Sequence, residues 1–165
     1  MKSRYIDRKA LEHLLAGMMP ENALAIQISM DTGMRIGDVL SMPFNAPDSP
    51  YYTYSEEKTH KRRTVRLSDQ HRNGLRAFRF GAYCFPHRLD PDRHRTRQAV
   101  YKDIKRIAKA FRLKGISPHT ARKMYAVELY HKTGNVDYVR RRLNHEDTAV
   151  TLIYALADQL SINRS

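Results

Sequence analysis

Ser117-Pro118-His119-Thr120-Ala121-Arg122 is the stretch from which the second half of the chain is read. Serine is a favoured N-cap, and proline suits the first helical position, so a helix is expected to start here. His119 and Arg122 stand three apart and share its first turns. A helix N-terminus exposes unpaired N–H groups at the positive end of its dipole, which attracts phosphate. Arginine adds a planar fork matched to two phosphate oxygens. Gly134 is expected to end this helix and Asn135 to cap the next, carrying Val136, Val139 and Leu143. Then comes Leu143-Asn144-His145-Glu146-Asp147-Thr148-Ala149-Val150-Thr151-Leu152-Ile153-Tyr154, with Asp147 or Thr148 as cap. It sets His145 before an apolar helical run that finishes in Tyr154. Alone, a tyrosine at the end of such a run reads as a core or interface residue.

Upstream, Asp7 is a plausible N-cap for a helix with Leu11, Leu14, Leu15 and Met18 at helical spacing. Pro20 opens a second helix, stopped by Gly33 as C-cap. Met34 to Leu40 restarts as a short helix ended by Pro43, on which Arg35 and Asp38 share a face. Spacing alone makes that pair an exposed salt bridge. Asn45 to Pro50 is a loop by its turn chemistry. Tyr51 to Ser55 and Arg63 to Leu67 alternate as two strands, with Glu56 to Arg62 as the hairpin tip. Lys58 on that tip is either a solvated edge residue or one that reaches over a bound phosphate. Ser68 begins a helix containing Leu75 and Phe78, closed by Gly81, and Phe85 to Arg95 reads as a basic loop. Thr96 caps a helix with Val100, Ile104, Ile107, Ala108 and Phe111 on one face, ended by Gly115. Its other face carries Lys102, Lys105, Arg106 and Lys109, either solvated or turned towards DNA. The fold class expected is α+β: mostly α-helical, with a small antiparallel three-stranded sheet.

Thirty Lys+Arg stand against 17 Asp+Glu among 165 residues, a formal net charge of +13. Such a field attracts polyanions, nucleic acid first among them. The basic residues are spread along the chain and do not form a tail, as suits a folded surface along a phosphate backbone. No stretch approaches the roughly 20 apolar residues of a membrane span, and no membrane partner is expected. The single cysteine, Cys84, rules out an internal disulfide, fits a reducing compartment and reads as a small buried residue. One domain over residues 1–165 is expected.

Taken in order, four local patterns resemble the catalytic domain of the tyrosine recombinases, the phage integrase family. Thr32-Gly33-Met34-Arg35-Ile36-Gly37-Asp38-Val39-Leu40 resembles the family's first-arginine box. Glu57-Lys58-Thr59-His60-Lys61-Arg62-Arg63-Thr64-Val65-Arg66-Leu67 resembles its lysine-bearing hairpin. Ser117 to Arg122 fits the His-x-x-Arg box, and Leu143-Asn144-His145 followed by Tyr154 fits the last histidine and the nucleophile. Each pattern alone is weak or moderate; all four in this order, in a basic chain of this length, are specific. Asp38 replaces the commoner glutamate, and Asn144 stands where glycine is usual, a residue that tolerates left-handed backbone angles. Lys123 follows Arg122 where histidine is frequent and receives no role. No separate N-terminal DNA-clamping domain is expected, so the chain reads as an excised catalytic domain or a minimal member.

The resemblance implies the tyrosine recombinase catalytic-domain fold and a site-specific recombinase or integrase acting on double-stranded DNA. Tyr154 would be the nucleophile, giving a 3′-phosphotyrosyl link and a free 5′-hydroxyl. Arg35, Arg122, His119 and His145 would bind the phosphate oxygens, with His119 assisting proton removal from Tyr154. Lys58 would protonate the leaving oxygen, and Asp38 would orient Arg35 or its surroundings. The resemblance also implies a homo-oligomer, a tetramer on DNA, accessory DNA-bending proteins, and a cytoplasmic, nucleoid-associated setting in a prokaryotic or phage-infected cell. No metal or nucleotide cofactor is expected, in keeping with the lack of a Walker-type loop or a zinc-spaced Cys/His cluster. Two alternatives stay open: a topoisomerase or telomere resolvase with the same chemistry, and a non-catalytic basic DNA-binding protein or regulator.

Overall fold

The structure is a computed structural model that describes residues 6–144. Helix α1 (Arg8–Leu15) starts where Asp7 Oδ1 accepts the Ala10 N–H at 2.7 Å, and it buries Leu11, Leu14 and Leu15. Helix α2 (Pro20–Thr32) is capped from outside. Asp103 Oδ2 accepts from the Met19 N–H and from Asn22 Nδ2, both at 2.8 Å. Gly33 ends α2 in the left-handed region at φ 72°, as its position predicts. The short helix α3 (Ile36–Leu40) follows, then a 3₁₀ turn at Ala46–Asp48. The hairpin strands are β1 (Tyr51–Ser55) and β2 (Arg62–Arg66), paired antiparallel with Tyr54 opposite Arg63. Helices α4 (Asp69–Phe78), α5 (Arg97–Ala110), α6 (Pro118–Thr133) and α7 (Val136–Arg142) complete the described chain.

Helix α2 is the hub, packing against α1, α3, α4, α5 and α6. Its buried residues Ala25, Ile26, Ile28 and Met30 point to several sides because it has neighbours on several sides. A polar tie joins four helices at one end. Arg8 donates to both Glu128 oxygens at 2.8 and 2.7 Å and to Asp31 Oδ1 at 2.8 Å. Asp31 Oδ2 lies 2.8 Å from His71 Nε2. Since His71 Nδ1 accepts the Ser68 N–H, Nε2 carries the proton that Asp31 receives.

Among the described residues the expected helices form, with several differences. The helix expected to lead to Tyr154 lies outside them, and α4 ends at Phe78, before the Gly81 expected to close it. Among the described residues the sheet has two strands, not three. Further pairing is limited to isolated bridges, two of which involve Pro43 and Pro86; proline has no N–H to extend a ladder. Helix α5 stops at Ala110, well before Gly115. Leu113 N–H bonds Ala108 O at 2.8 Å and Arg112 N–H bonds Lys109 O at 3.0 Å, a Schellman closure with Arg112 at φ 56°. The glycine signal therefore sits three residues beyond Arg112, the left-handed residue that closes the helix. Phe111 is 47% exposed, outside the core, with its ring edge-on to His13. Cys84 is buried as expected, and burial pushes its thiol up to about 11, which suits a packing residue.

These two left-handed residues predict opposite outcomes. Gly33→Ala costs the roughly 1–2 kcal/mol of left-handed alanine and more for overlap, because an added Cβ would lie 2.5 Å from the Tyr125 ring. Arg112→Gly, on the exposed Schellman turn, stabilises by roughly 1 kcal/mol. Urea unfolding of the two variants should move the midpoint down and up respectively.

Candidate active site

The turn that ends α2 fixes where the first arginine begins. Ser29 Oγ donates to Met34 O at 2.7 Å, and the Met34 N–H reaches Thr32 Oγ1 at 3.2 Å. From β2, Arg63 clamps the same corner, donating to Thr32 O at 2.7 Å and to Gly33 O and Tyr54 Oη at 3.3 Å. Arg35 is the extended N-cap residue of α3, so its side chain leaves the backbone at a fixed corner. Its Nη1 donates to Glu56 Oε2 at 2.6 Å. The guanidinium's ion-pair partner is therefore Glu56, and the exposed Arg35–Asp38 pair read from spacing is not what forms.

Asp38 is buried on α3, and its Oδ1 accepts the Glu57 N–H at 3.0 Å, which holds the base of the hairpin tip. Its Oδ2 has no hydrogen-bond partner among the described residues. Burial, with the nearby Glu56 carboxylate, raises the Asp38 carboxyl above its ordinary range despite the Glu57 N–H and the charges of Arg35 and Arg122. The hairpin tip is closed by Glu56 N–H to Lys61 O at 3.0 Å and His60 N–H to Glu56 O at 2.9 Å. Lys58 stands exposed on this tip.

Helix α6 starts as its sequence predicts, with Ser117 as N-cap, Pro118 in the first turn and the Ser117 N–H bonded to Thr120 Oγ1 at 3.1 Å. His119 opens towards solvent from this first turn. Partial burial and the surrounding cations Arg122, Lys123, Lys58 and Arg35 hold its imidazole below the ordinary histidine range, so it is neutral at neutral pH. Arg122 is 5% exposed, and its Nη2 donates to Leu143 O at 2.6 Å. Its Nη1 is buried with no hydrogen-bond partner among the described residues. Burial, then repulsion from Arg35 and Arg63, lowers its pKa to about 10. Asn144 next to that carbonyl adopts φ 51°, within the range asparagine tolerates.

Arg35, Asp38, Lys58 and His119 thus line one cleft of about 420 Å³, with Gly37 in its floor. Arg122 lies behind it in the same electrostatic neighbourhood. His145 and Tyr154 lie outside the described residues. Sequence reading missed three charged groups here. Glu56 is fully buried, Arg63 is 8% exposed, and Arg97 lines this cleft and a neighbouring one of about 360 Å³ that holds Gln98, Tyr101 and Lys105. Strand alternation placed Arg63 on the inward face with Tyr54, a signal that was available. Glu56 and Arg97 carried none.

Residues 4–160 match the model of the phage integrase family. The chain belongs to the phage integrase family. It is 30% identical over 149 residues to a probable integrase/recombinase protein of Methanocaldococcus jannaschii, covering 81% of this chain and 45% of that protein. It is 24% identical over 165 residues to the integrase of Escherichia phage P2, covering 96% of this chain and 46% of that one. The chain therefore spans about half the length of these relatives. In structure it is similar to XerA recombinase, with TM-score 0.74, 15% identity and coverage of 99% of this chain and 65% of that one. XerH recombinase bound to its difH substrate gives TM-score 0.72, 22% identity and coverage of 97% and 53%. These two likenesses establish the tyrosine recombinase catalytic-domain fold. Among the described residues no helix is long and apolar enough to cross a membrane, and no group of three or more His, Cys, Asp or Glu side chains is placed to hold a metal ion.

A depressed arginine pKa means the folded protein bears a cost for that charge. Arg122→Met should therefore leave stability within about 1 kcal/mol of the parent, the relieved charge offsetting the lost bond to Leu143 O. Thermal unfolding checks this; a loss of several kcal/mol would mark Arg122 as a structural clamp instead.

Proposed function

We propose that this chain is the catalytic portion of a site-specific DNA recombinase that cuts and rejoins double-stranded DNA through a tyrosyl phosphodiester on Tyr154. The observation that carries the reading is the convergence of Arg35, Lys58 and His119 on one cleft, backed by the buried guanidinium of Arg122. The excess of cations over carboxylates there suits a phosphodiester monoanion. Family membership supports the same reading.

In the proposed step Tyr154 Oη attacks the scissile phosphorus, the Oη–P bond forms and the P–O5′ bond breaks. A free phenol has a pKa of about 10, so a proton acceptor is needed at neutral pH. Neutral His119 can take that proton. Lys58, exposed at the hairpin tip, gives a proton to the departing 5′-oxygen. Arg35, Arg122 and His145 stabilise charge on the non-bridging oxygens, the largest requirement of phosphoryl transfer. Attack by the 5′-hydroxyl of a partner strand reverses each bond change and reseals the DNA, so the bond energy is conserved in the covalent link. Exchange between strands calls for several copies of the chain on DNA, which we propose as a tetramer. Arg97, exposed beside the cleft, extends the cationic surface along the backbone.

A nicked duplex carrying a site selected by binding to the full chain should trap a covalent protein–DNA adduct resistant to denaturation. Tyr154→Phe should abolish the adduct and leave duplex affinity within about twofold. Binding by the parent with no adduct would instead identify a non-catalytic DNA-binding protein. Relaxation of supercoiled DNA of any sequence would identify a topoisomerase.

A further inference from the structure

Glu56 is the one carboxylate among the described residues with no exposure at all, and it sits among guanidinium groups. Its Oε2 accepts from Arg35 Nη1 at 2.6 Å and from Thr59 Oγ1 at 2.7 Å. Its Oε1 is 3.7 Å from Arg63 Nη1 and takes no hydrogen bond among the described residues. Its backbone closes the tip through Lys61 O and the His60 N–H. A carboxylate is costly to bury unless paired, so a hairpin closure alone, which backbone bonds already supply, does not account for an acid at this point.

Resting on the recombinase reading above, we propose that Glu56 is a positioning residue: it fixes the edge from which Arg35 presents its guanidinium to the scissile phosphate, and it ties that edge to the hairpin carrying Lys58. One Nη of Arg35 is committed inward to Glu56, which leaves the remaining N–H groups of the fork for phosphate oxygens. Thr59, bonded to the same carboxylate oxygen, adjoins Lys58, so a single group registers the two cations that flank the reacting phosphorus. Asp38 holds the same tip through the Glu57 N–H but makes no hydrogen bond to Arg35. Glu56 also pairs with Arg35, lies 3.7 Å from Arg63 and acts electrostatically on Arg122. Burial works to raise its carboxyl, but the bonds from Thr59 and Arg35 hold it below the ordinary range, so it is ionised at neutral pH.

Charge and geometry make opposite demands in Glu56→Gln, and that separates positioning from mere folding. Removing a negative charge makes the site more attractive to a polyanion, so duplex affinity should stay equal or tighten by up to a few-fold. The single-turnover rate of adduct formation on the nicked duplex should fall at least tenfold, and Glu56→Asp, charged but one methylene short, should fall between. Independently of activity, the parent should show separate Nη resonances for Arg35 from hindered rotation, merging in Glu56→Gln. An adduct rate within twofold of the parent, or unchanged Arg35 resonances, overturns the proposal; so does a rate loss matched by an equal loss of affinity. Should Glu56→Gln fail to fold, the same three readouts on Glu56→Asp decide. Should the parent itself form no adduct, the recombinase reading fails, and the Arg35 resonances still decide whether Glu56 holds that side chain.

Discussion

The cleft depends on one electrostatic arrangement: the buried Glu56 carboxylate set among three arginines. Guanidinium groups repel one another, and partly dehydrated ones do so strongly because little solvent screens them. Burial, with repulsion from Arg35 and Arg63, lowers the pKa of Arg122 to about 10. Hydrogen bonds share out the compensation. Arg63 spends its donors on the carbonyls of Thr32 and Gly33, Arg122 on Leu143 O, and Arg35 on Glu56. Each arginine is thereby tied to a different element, and the cationic cluster becomes a joint between α2, α3, the hairpin and α6.

The same bonds explain why the corner after α2 is so restricted. Gly33 must adopt a left-handed angle, Tyr125 and Leu143 press on the space a side chain would fill, and Arg63 holds its carbonyl. From this corner Arg35 departs as the N-cap of α3, while Asp38 one turn later grips the hairpin. Packing of α2 against its neighbours therefore sets the position of a cation in the cleft, and stability and site geometry are not separable here. The Arg8–Asp31–His71 tie, two residues before Gly33 on α2, bonds to α1, α4 and α6 and to no residue that lines the cleft.

Helix starts were legible because capping chemistry is local. Asp7, Ser68, Thr96, Ser117 and Asn135 all cap where their side chains predict. Stops were less so, since any residue can take a left-handed angle when the closure bonds offset its cost, as Arg112 does in place of Gly115. Arg35, Lys58, His119 and Arg122 were legible as motif residues, and the structure brings Arg35, Lys58 and His119 to one cleft, with Arg122 behind it. Glu56 was not legible, because nothing in a polar hairpin tip separates a solvated glutamate from one folded inward on two arginines. Partner choice had the same limit: Arg35 and Asp38 share a helical face, but Glu56, distant in sequence, is the acid that reaches the guanidinium. Local spacing identifies groups able to meet, while long-range packing decides which of them do.

On the recombinase reading, the residual charge also links DNA binding to the state of the site. Cations outnumber carboxylates here: Arg35, Lys58 and Arg97 line the cleft with Asp38 and Glu57, and Arg63 and Arg122 stand near Glu56, so the potential is net positive. A scissile phosphate brings a negative charge to the side of Arg35 opposite Glu56. That relieves repulsion on Arg122 without moving it, because its Nη2 is already fixed by Leu143 O and its Nη1 is unpartnered among the described residues. Part of the binding energy is then realised as removal of a strain present in the free protein, and the groups that act on the transition state need little reorganisation on binding. The cost is borne by the folded chain in the absence of DNA, where the Arg122 charge is already buried. Such an arrangement favours a protein that holds its cations ready and gains its last increment of order from the phosphate it acts on.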